Sequence, residues 1–384
     1  MLQLYACSFV PPVKSSLHNQ GYLTQIQLPV MRIQNLKYKH SLKNTFGERK
    51  TIIRSKLLES HSSEDWHLSD PKKENGVVGK TQRGIFKKWD ILCRFVHPYI
   101  VMATIIGVTS FSLLPLESAA DLSLPFLVGV LKTLVPYVLL NIYTGGINAL
   151  YDIEIDKVNK PYRPLVTGEL SIKSATVIVS TALVTSLAMG IMSQSPPLLY
   201  GLVAVFLGTS AYSIKLPLLR WKNNPFLTAV AILVGRGVTH VSYYVHTQEY
   251  VLGRPFVLTR SFVFAIAIMS LFAVTFALLK DVPDVDGDRE SGVQSFCILA
   301  GKEKVFWLGI SILLMGYGSA MVVGASSSCL TNKLVTVLGH AALASSLWLR
   351  AQSVDLDSKE STSSLYMFVW KLYYVEHLLI HFVR

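Results

Sequence analysis

LPFLVGVLKTLVPYVLLNIYTGGINALYDIEIDKVNKPYRP (residues 124–164) changes character once, and that change decides the fold. Residues 124–148 hold a single charge, Lys132. A membrane-spanning helix needs about 20 mostly apolar residues, so this run is long enough to cross. The residues that follow carry Asp152, Glu154 and Asp156 against Lys157, Lys160 and Arg163. An apolar span therefore ends in a dense polar segment.

Eight more apolar runs flank it: 95–115, 172–193, 197–214, 225–245, 260–279, 304–324, 333–350 and 365–383. The expected fold is all-α, a polytopic membrane helix bundle with about nine transmembrane helices filling residues 94–384. Composition agrees. The 384 residues are 51% apolar and 16% charged, where a soluble domain carries about 25% charge. The fifth run contains Arg236 and His240, and the ninth contains Glu376, His377 and His381. Ionisable groups inside a span are functional candidates, although a packed, hydrogen-bonded histidine also fits His240.

The basic charge is concentrated before the first span. Residues 1–93 hold 15 Lys/Arg and 7 Asp/Glu, a net +8 of the chain's +12. Within 1–63 the only acids are Glu48 and Glu59, against nine Lys/Arg. An acid-poor, basic, Ser-containing leader without an apolar core reads as a transit peptide, here assigned to residues 1–80 with cleavage between Arg54 and Lys80. No aromatic-interleaved basic surface follows, so a nucleic-acid partner is not expected. Cys7, Cys93, Cys297 and Cys329 have neither metal-site spacing nor a disulfide framework.

Loop charge sets the expected orientation. Connections two–three, four–five and six–seven carry eleven Lys/Arg, including Lys215, Arg220, Lys222, Lys280 and Arg289. The opposite face is expected to carry five: Arg254, Arg260, Lys333, Arg350 and Lys359. The richer face should lie on the inner side with the N-terminus. The acidic clusters fall on that same face. A channel or carrier would instead set polar groups near the bilayer midplane on broken helices.

Asn148, Asp152 and Asp156 stand at i, i+4, i+8, one stripe of a helix. Three oxygen donors in line suit a hard cation such as Mg²⁺, which binds through one or two carboxylates and shares its shell with substrate phosphates. The same spacing fits a solvated helix end whose acids pair with Lys157 or Lys160. Glu154 falls off the stripe. The sixth span runs into KDVPDVDGDRESG (280–292), where Asp281, Asp284 and Asp288 form a second stripe, Asp286 stands apart, and Pro283 and Gly287 threaten helix regularity. Four carboxylates so close repel one another unless positive charge lies among them. An EF-hand fails: counted from Asp281, its Gly and Glu positions hold Asp286 and Gly292. Between the clusters, AYSIKLPLLRWKNNP (211–225) offers Tyr212, Lys215, Arg220 and Lys222, cationic donors of the kind a diphosphate needs. Arg94, at the start of the first span, is a further candidate.

NALYDIEIDKVNKP resembles the NQxxDxxxD signature, and KDVPDVDGD the KDxxDxxGD signature, of plant plastid aromatic prenyltransferases in the UbiA superfamily. The YSxK loop and the span layout extend the resemblance over residues 94–384. It implies Asn148, Asp152, Asp156, Asp284 and Asp288 as Mg²⁺ ligands, with Asp281 nearby, and Arg94, Tyr212 and Lys215 around the diphosphate. The acids Asp152, Asp156, Asp284 and Asp288 would then be the catalytic set, with Arg220 assisting. Ala149 stands where the signature has Gln.

The implied reaction is a Friedel–Crafts alkylation. An allylic diphosphate, dimethylallyl diphosphate as the leading donor, loses its diphosphate, and a small aromatic acceptor such as a flavonoid, isoflavonoid or coumarin attacks through carbon. Tyr143, Tyr151, Tyr243 and Tyr244 are candidate cation-stabilising rings or ordinary packing. The expected location is a plastid membrane, multi-pass, in contact with lipid. A homogentisate prenyltransferase is the alternative within the family, and a transporter of an anionic metabolite the alternative outside it.

Overall fold

The computed structural model describes residues 77–383, whose regular elements are all helices, with no strand among them. The leader assigned to residues 1–80 lies almost wholly outside this range. In chain order the helices are α1 (Val77–Val96), α2 (Pro98–Leu113), α3 (Leu124–Tyr151), α4 (Ile153–Asn159), α5 (Pro164–Thr167), α6 (Ile172–Met192) and α7 (Pro196–Ser213). They continue with α8 (Pro225–Val245), α9 (Arg260–Leu279), α10 (Val285–Glu290), α11 (Phe296–Ala300), α12 (Lys302–Ala325), α13 (Leu330–Gln352) and α14 (Lys359–Leu379).

Local chemistry sets the starts. Ser123, Ser171, Asn224, Thr259 and Ser358 each accept a hydrogen bond from a backbone N–H of the first turn they precede. Proline occupies the first or second position of α2, α3, α5, α7 and α8, where its missing N–H costs nothing.

The nine expected spans coincide with α2, α3, α6, α7, α8, α9, α12, α13 and α14. The count is approximate. Among the described residues six helices are long and apolar enough to cross a membrane, or seven if the bent pair α1–α2 counts as one span. That pair departs from the expected start of the first span. Lys87–Val96 meets Pro98–Leu113 at 72°. The bend sits on His97, whose φ of 62° is left-handed.

α3 packs on α2, α6 and α7; α7 on α8; α8 on α9; α9 on α12; α12 on α13; and α14 on α13, α9 and α2. These contacts close a ring. Its outside is apolar: Leu127, Val128, Leu131 and Val135 on α3, or Leu308, Met315 and Val322 on α12, are exposed at helical spacing. Exposed apolar faces of that extent belong against lipid. Inside the ring, many polar groups find partners. Tyr137 and Ser242 share a hydrogen bond of 2.7 Å where α3, α7 and α8 meet. Gly201 makes that junction possible, since a Cβ there would lie 2.7 Å from the Ser242 hydroxyl and collide with the Tyr137 phenol.

One orientation expectation is corrected. Lys359 donates to the Asn159 carbonyl at 2.7 Å, and Lys302 to that of Leu356 at 2.5 Å. The α13–α14 connection, with Arg350 and Lys359, therefore lies on the face of the acidic clusters. Counting crossings gives the same result, because an eighth crossing returns the chain to its starting side. Arg254, Arg260 and Lys333 remain at the other end, which makes the charge asymmetry steeper.

Candidate active site

α3 ends at Tyr151, and Asp152 (φ −113°, ψ 14°) breaks the helix before α4 restarts it. The first acidic stripe is therefore interrupted. The break turns Asp152 toward the α7–α8 connection. Arg220 gives one N–H to the Ser213 carbonyl at 2.5 Å and another to Asp152 at 2.7 Å. Lys222 takes the other Asp152 oxygen at 2.6 Å. All three side chains are over nine-tenths buried. Arg220 has a left-handed φ of 64°, local strain of the kind that accumulates at functional sites.

Asp156 lies one turn further, paired with Arg163 at 3.3 Å, and Arg163 also contacts the His97 imidazole at the α1–α2 bend. Burial raises the Asp156 pKa, and Arg163 and Lys160 oppose that rise.

The second acidic stripe is distorted, as Pro283 and Gly287 foretold. Residues 280–284 form turns before α10. Lys280 holds Asp281 at 2.5 Å and Lys160 holds Asp284 at 2.5 Å. Asp288 is buried, and burial together with Asp281 pushes its carboxyl up to about 7. Asp286 is exposed, away from this group.

Asn159 joins the two clusters. Its side chain donates to the Asp284 carbonyl at 3.2 Å and accepts from the Gly287 N–H at 3.2 Å. Gly287 is needed for this approach, because a Cβ would run into the Asn159 amide. Lys160 reinforces the junction by bridging α4 to Asp284.

The ends of the second and sixth spans thus meet at one face, with the α7–α8 connection over them. Tyr212 lies among Asp152, Lys280 and Asp281. Asn148 is half-buried on the last turns of α3. Two expected diphosphate contacts stand apart. Arg94, on α1, pairs with Asp90 at 2.8 Å and Glu169 at 2.7 Å rather than with the clusters. Lys215 is exposed on the rim of a 590 Å³ cavity lined also by Glu154, Arg220 and Glu290.

Beneath the carboxylates is an aromatic wall the sequence did not single out. Tyr99 is surrounded by Tyr366, Lys160, Arg163 and Asp284, and Tyr366 lies near both Lys280 and Asp281. Trp370 stacks on Phe276 at 4.1 Å and meets Tyr99 at 5.1 Å. By contrast Tyr143 bonds Ser210, Tyr243 packs edge-on to Tyr137, and Tyr244 stacks on Phe262. Those three are packing residues. Asn159 and Lys160 continue the stripe of Asn148, Asp152 and Asp156 by one turn, and that spacing was the available signal. Tyr99 and Tyr366 carried none.

The donor set suits Mg²⁺ in chemistry: five carboxylates, two of them with raised pKa in crowded, buried surroundings. Among the described residues no three His, Cys, Asp or Glu side chains form a ready cation cage. Mg²⁺ does not require one, since one or two carboxylates suffice when phosphates and water complete its shell.

The UbiA prenyltransferase family matches residues 101–372. The chain is 40% identical to a chloroplastic coumarin 8-geranyltransferase 1 of Citrus limon over 100% of both chains. It is 46% identical to a homogentisate geranylgeranyltransferase of Triticum aestivum over 78% of this chain and 74% of that one. A UbiA homolog from Archaeoglobus fulgidus, solved bound to DMAPP and Mg²⁺, has the same fold, with a TM-score of 0.52 at 16% identity over 76% of this chain and 99% of that one.

Proposed function

Because the chain belongs to the UbiA prenyltransferase family, we propose that it transfers a prenyl group from an allylic diphosphate to an aromatic carbon of a phenolic acceptor of the coumarin, flavonoid or isoflavonoid kind. It is a multi-pass membrane protein of the plastid, as its apolar helices and chloroplastic relatives indicate. One observation carries the reading: two carboxylate clusters, joined by Asn159, share one membrane face with Arg220, Lys222, Lys160 and Lys280. An aromatic wall lies directly below.

Asn148, Asp152 and Asp156 on one side, and Asp284 and Asp288 on the other, would hold Mg²⁺, with Asp281 beside them. The metal supplies neutralisation of the charge that grows on the leaving diphosphate. Arg220 and Lys222 are already placed by Asp152 to add N–H donors to phosphate oxygens, without reorganisation at the moment of reaction. The allylic C–O bond breaks with its electron pair on the diphosphate. Tyr99, Phe276, Tyr366 and Trp370 exclude water and offer ring faces to the allylic cation. The acceptor ring forms the new C–C bond and then loses its proton.

A coumarin-type acceptor with a ten-carbon donor is supported by the relative matched over both full lengths, and a five-carbon donor by relatives named as naringenin and glycinol dimethylallyltransferases. Homogentisate with a twenty-carbon donor is the second reading, favoured by the 46% identity to the Triticum enzyme. The test is the full chain in yeast microsomes, with five-, ten- and twenty-carbon diphosphates competing for umbelliferone, naringenin and homogentisate, read by product mass. Asp152→Ala and Asp284→Ala should each lower transfer at least ~100-fold, the scale of losing one key electrostatic group, and EDTA should stop it. Full turnover by either variant refutes the site.

A further inference from the structure

Arg236 sits within α8, and its guanidinium is surrounded by rings. Its central carbon lies 5.0 Å from the Trp370 ring centroid, 5.3 Å from Tyr373 and 5.7 Å from Phe276. One N–H donates to the Tyr373 hydroxyl at 3.1 Å. A guanidinium has five N–H donors, so four remain. Among the described residues no carboxylate pairs with it. The acid nearest in sequence to its ring partners, Glu376, is paired with His340 at 3.0 Å.

A charge inside a membrane bundle is costly unless an anion or a dense set of polar partners meets it. Rings offset part of that cost through cation–π attraction. They leave the spare N–H groups without acceptors. Arg236 is half-buried while facing inward, so its guanidinium borders space that another group can enter. Two fully buried nitrogens beside Tyr373, Nδ1 of His240 and Nε2 of His377, also lack partners.

Position gives this group a role. Tyr366 packs edge-on against both Phe276 and Trp370, within electrostatic reach of Arg236, Lys280 and Asp281. Phe276 and Trp370, stacked together, run from Arg236 toward Tyr99 and the carboxylates. A flat aromatic molecule held at Arg236 would therefore lie along rings that lead to the diphosphate end.

We propose that Arg236 binds the aromatic acceptor, its spare N–H groups taking an anionic oxygen of that molecule, a phenolate or a carboxylate. The proposal rests on the prenyl-transfer reading above and assigns the acceptor's anchoring residue within it. Tyr373 is a positioning residue. Its hydroxyl receives the Arg236 N–H and shares a second hydrogen bond with His240 Nε2 at 3.3 Å, which fixes the guanidinium plane.

The experiment measures acceptor KM and donor KM separately in microsomes for wild type, Arg236→Met, Arg236→Lys and Tyr373→Phe. Arg236→Met should raise acceptor KM about 10–100-fold, as expected for losing a charged hydrogen bond, and leave donor KM within about twofold by the same reasoning. Arg236→Lys should recover part of the loss. Tyr373→Phe should raise acceptor KM several-fold and leave donor KM alone, which serves where Arg236→Met does not fold. Homogentisate and methylhydroquinone, its counterpart without the carboxylate, separate the two sources of the anion. A carboxylate contact penalises only homogentisate in Arg236→Met, and a phenolate contact penalises both. Unchanged acceptor KM in active Arg236→Met, or equal rises in both KM values in Tyr373→Phe, overturns the proposal alone. A wild type that alkylates no acceptor overturns the functional reading and this inference with it.

Discussion

Replacing Asn159 by Ala removes the side chain through which the first acidic segment makes two hydrogen bonds to the second. The Gly287 N–H, buried at the start of α10, loses its acceptor at 3.2 Å. Leaving such a donor unpaired costs about 1–3 kcal/mol. The bond to the Asp284 carbonyl is also lost, but that carbonyl keeps the Asp288 N–H at 3.1 Å. This second loss is therefore worth about 0.5–1.5 kcal/mol. Together they weaken docking of α10 on α4 by about 1.5–4.5 kcal/mol, while Lys160–Asp284 remains to hold the segments together. At 1.36 kcal/mol per decade, even the lower figure cuts the aligned population relative to the undocked one by about 12-fold. Asn159→Ala should therefore need at least ~10-fold more Mg²⁺ for half-maximal transfer. Gly287→Ala should shift it the same way, because its new methyl displaces the Asn159 amide. The assay is prenyl transfer in microsomes against a Mg²⁺ titration, with thermal unfolding in detergent alongside. A wild-type Mg²⁺ curve and an unchanged melting midpoint for Asn159→Ala would refute the reasoning.

Asp288 should make stability depend on pH in metal-free buffer. Its folded value of about 7 lies above the ordinary 3.8. The folded form thus holds a proton that the unfolded chain has released. The stability Asp288 contributes is then present in full below about pH 4 and is lost as pH rises through 7. Asp288→Asn should flatten that dependence, read as melting midpoint against pH. Glu376→Ala breaks a His340–Glu376 contact in which both side chains are fully buried, and should cost about 3–5 kcal/mol, seen as loss of the monodisperse peak on detergent size exclusion.

The span pattern was legible because lipid contact imposes it directly. Leu127, Leu131 and Val135 must all be apolar, and a run of such residues is visible without any knowledge of neighbours. Asp152, Asp156, Asp284 and Asp288 were legible because like charges crowd only where something positive compensates. Their compensators were harder to read. Lys160 pairs across 124 positions with Asp284, and nothing local distinguishes it from Lys157, which merely holds Glu154 at 2.8 Å on the surface. Arg94 misled for the same reason: its charge suited a diphosphate, but the α1–α2 bend carries it to Glu169. The placement of Arg350 and Lys359 failed on parity of crossings rather than on chemistry. The aromatic wall escaped notice because Tyr99 and Phe276 lie on helices far along the chain from the one that carries Tyr366 and Trp370, and aromatic residues are common in the spans.

At the polar face, Asp152, Asp281 and Asp284 each already have an ammonium or guanidinium partner. A naked pyrophosphate arriving there would draw Arg220 and Lys222 away and strand a buried aspartate. Only an anion that brings its own counterion can take up these cations without that penalty. The pairing should therefore discriminate against metal-free phosphates, so that released pyrophosphate stripped of magnesium competes poorly with fresh donor and inhibits the enzyme weakly.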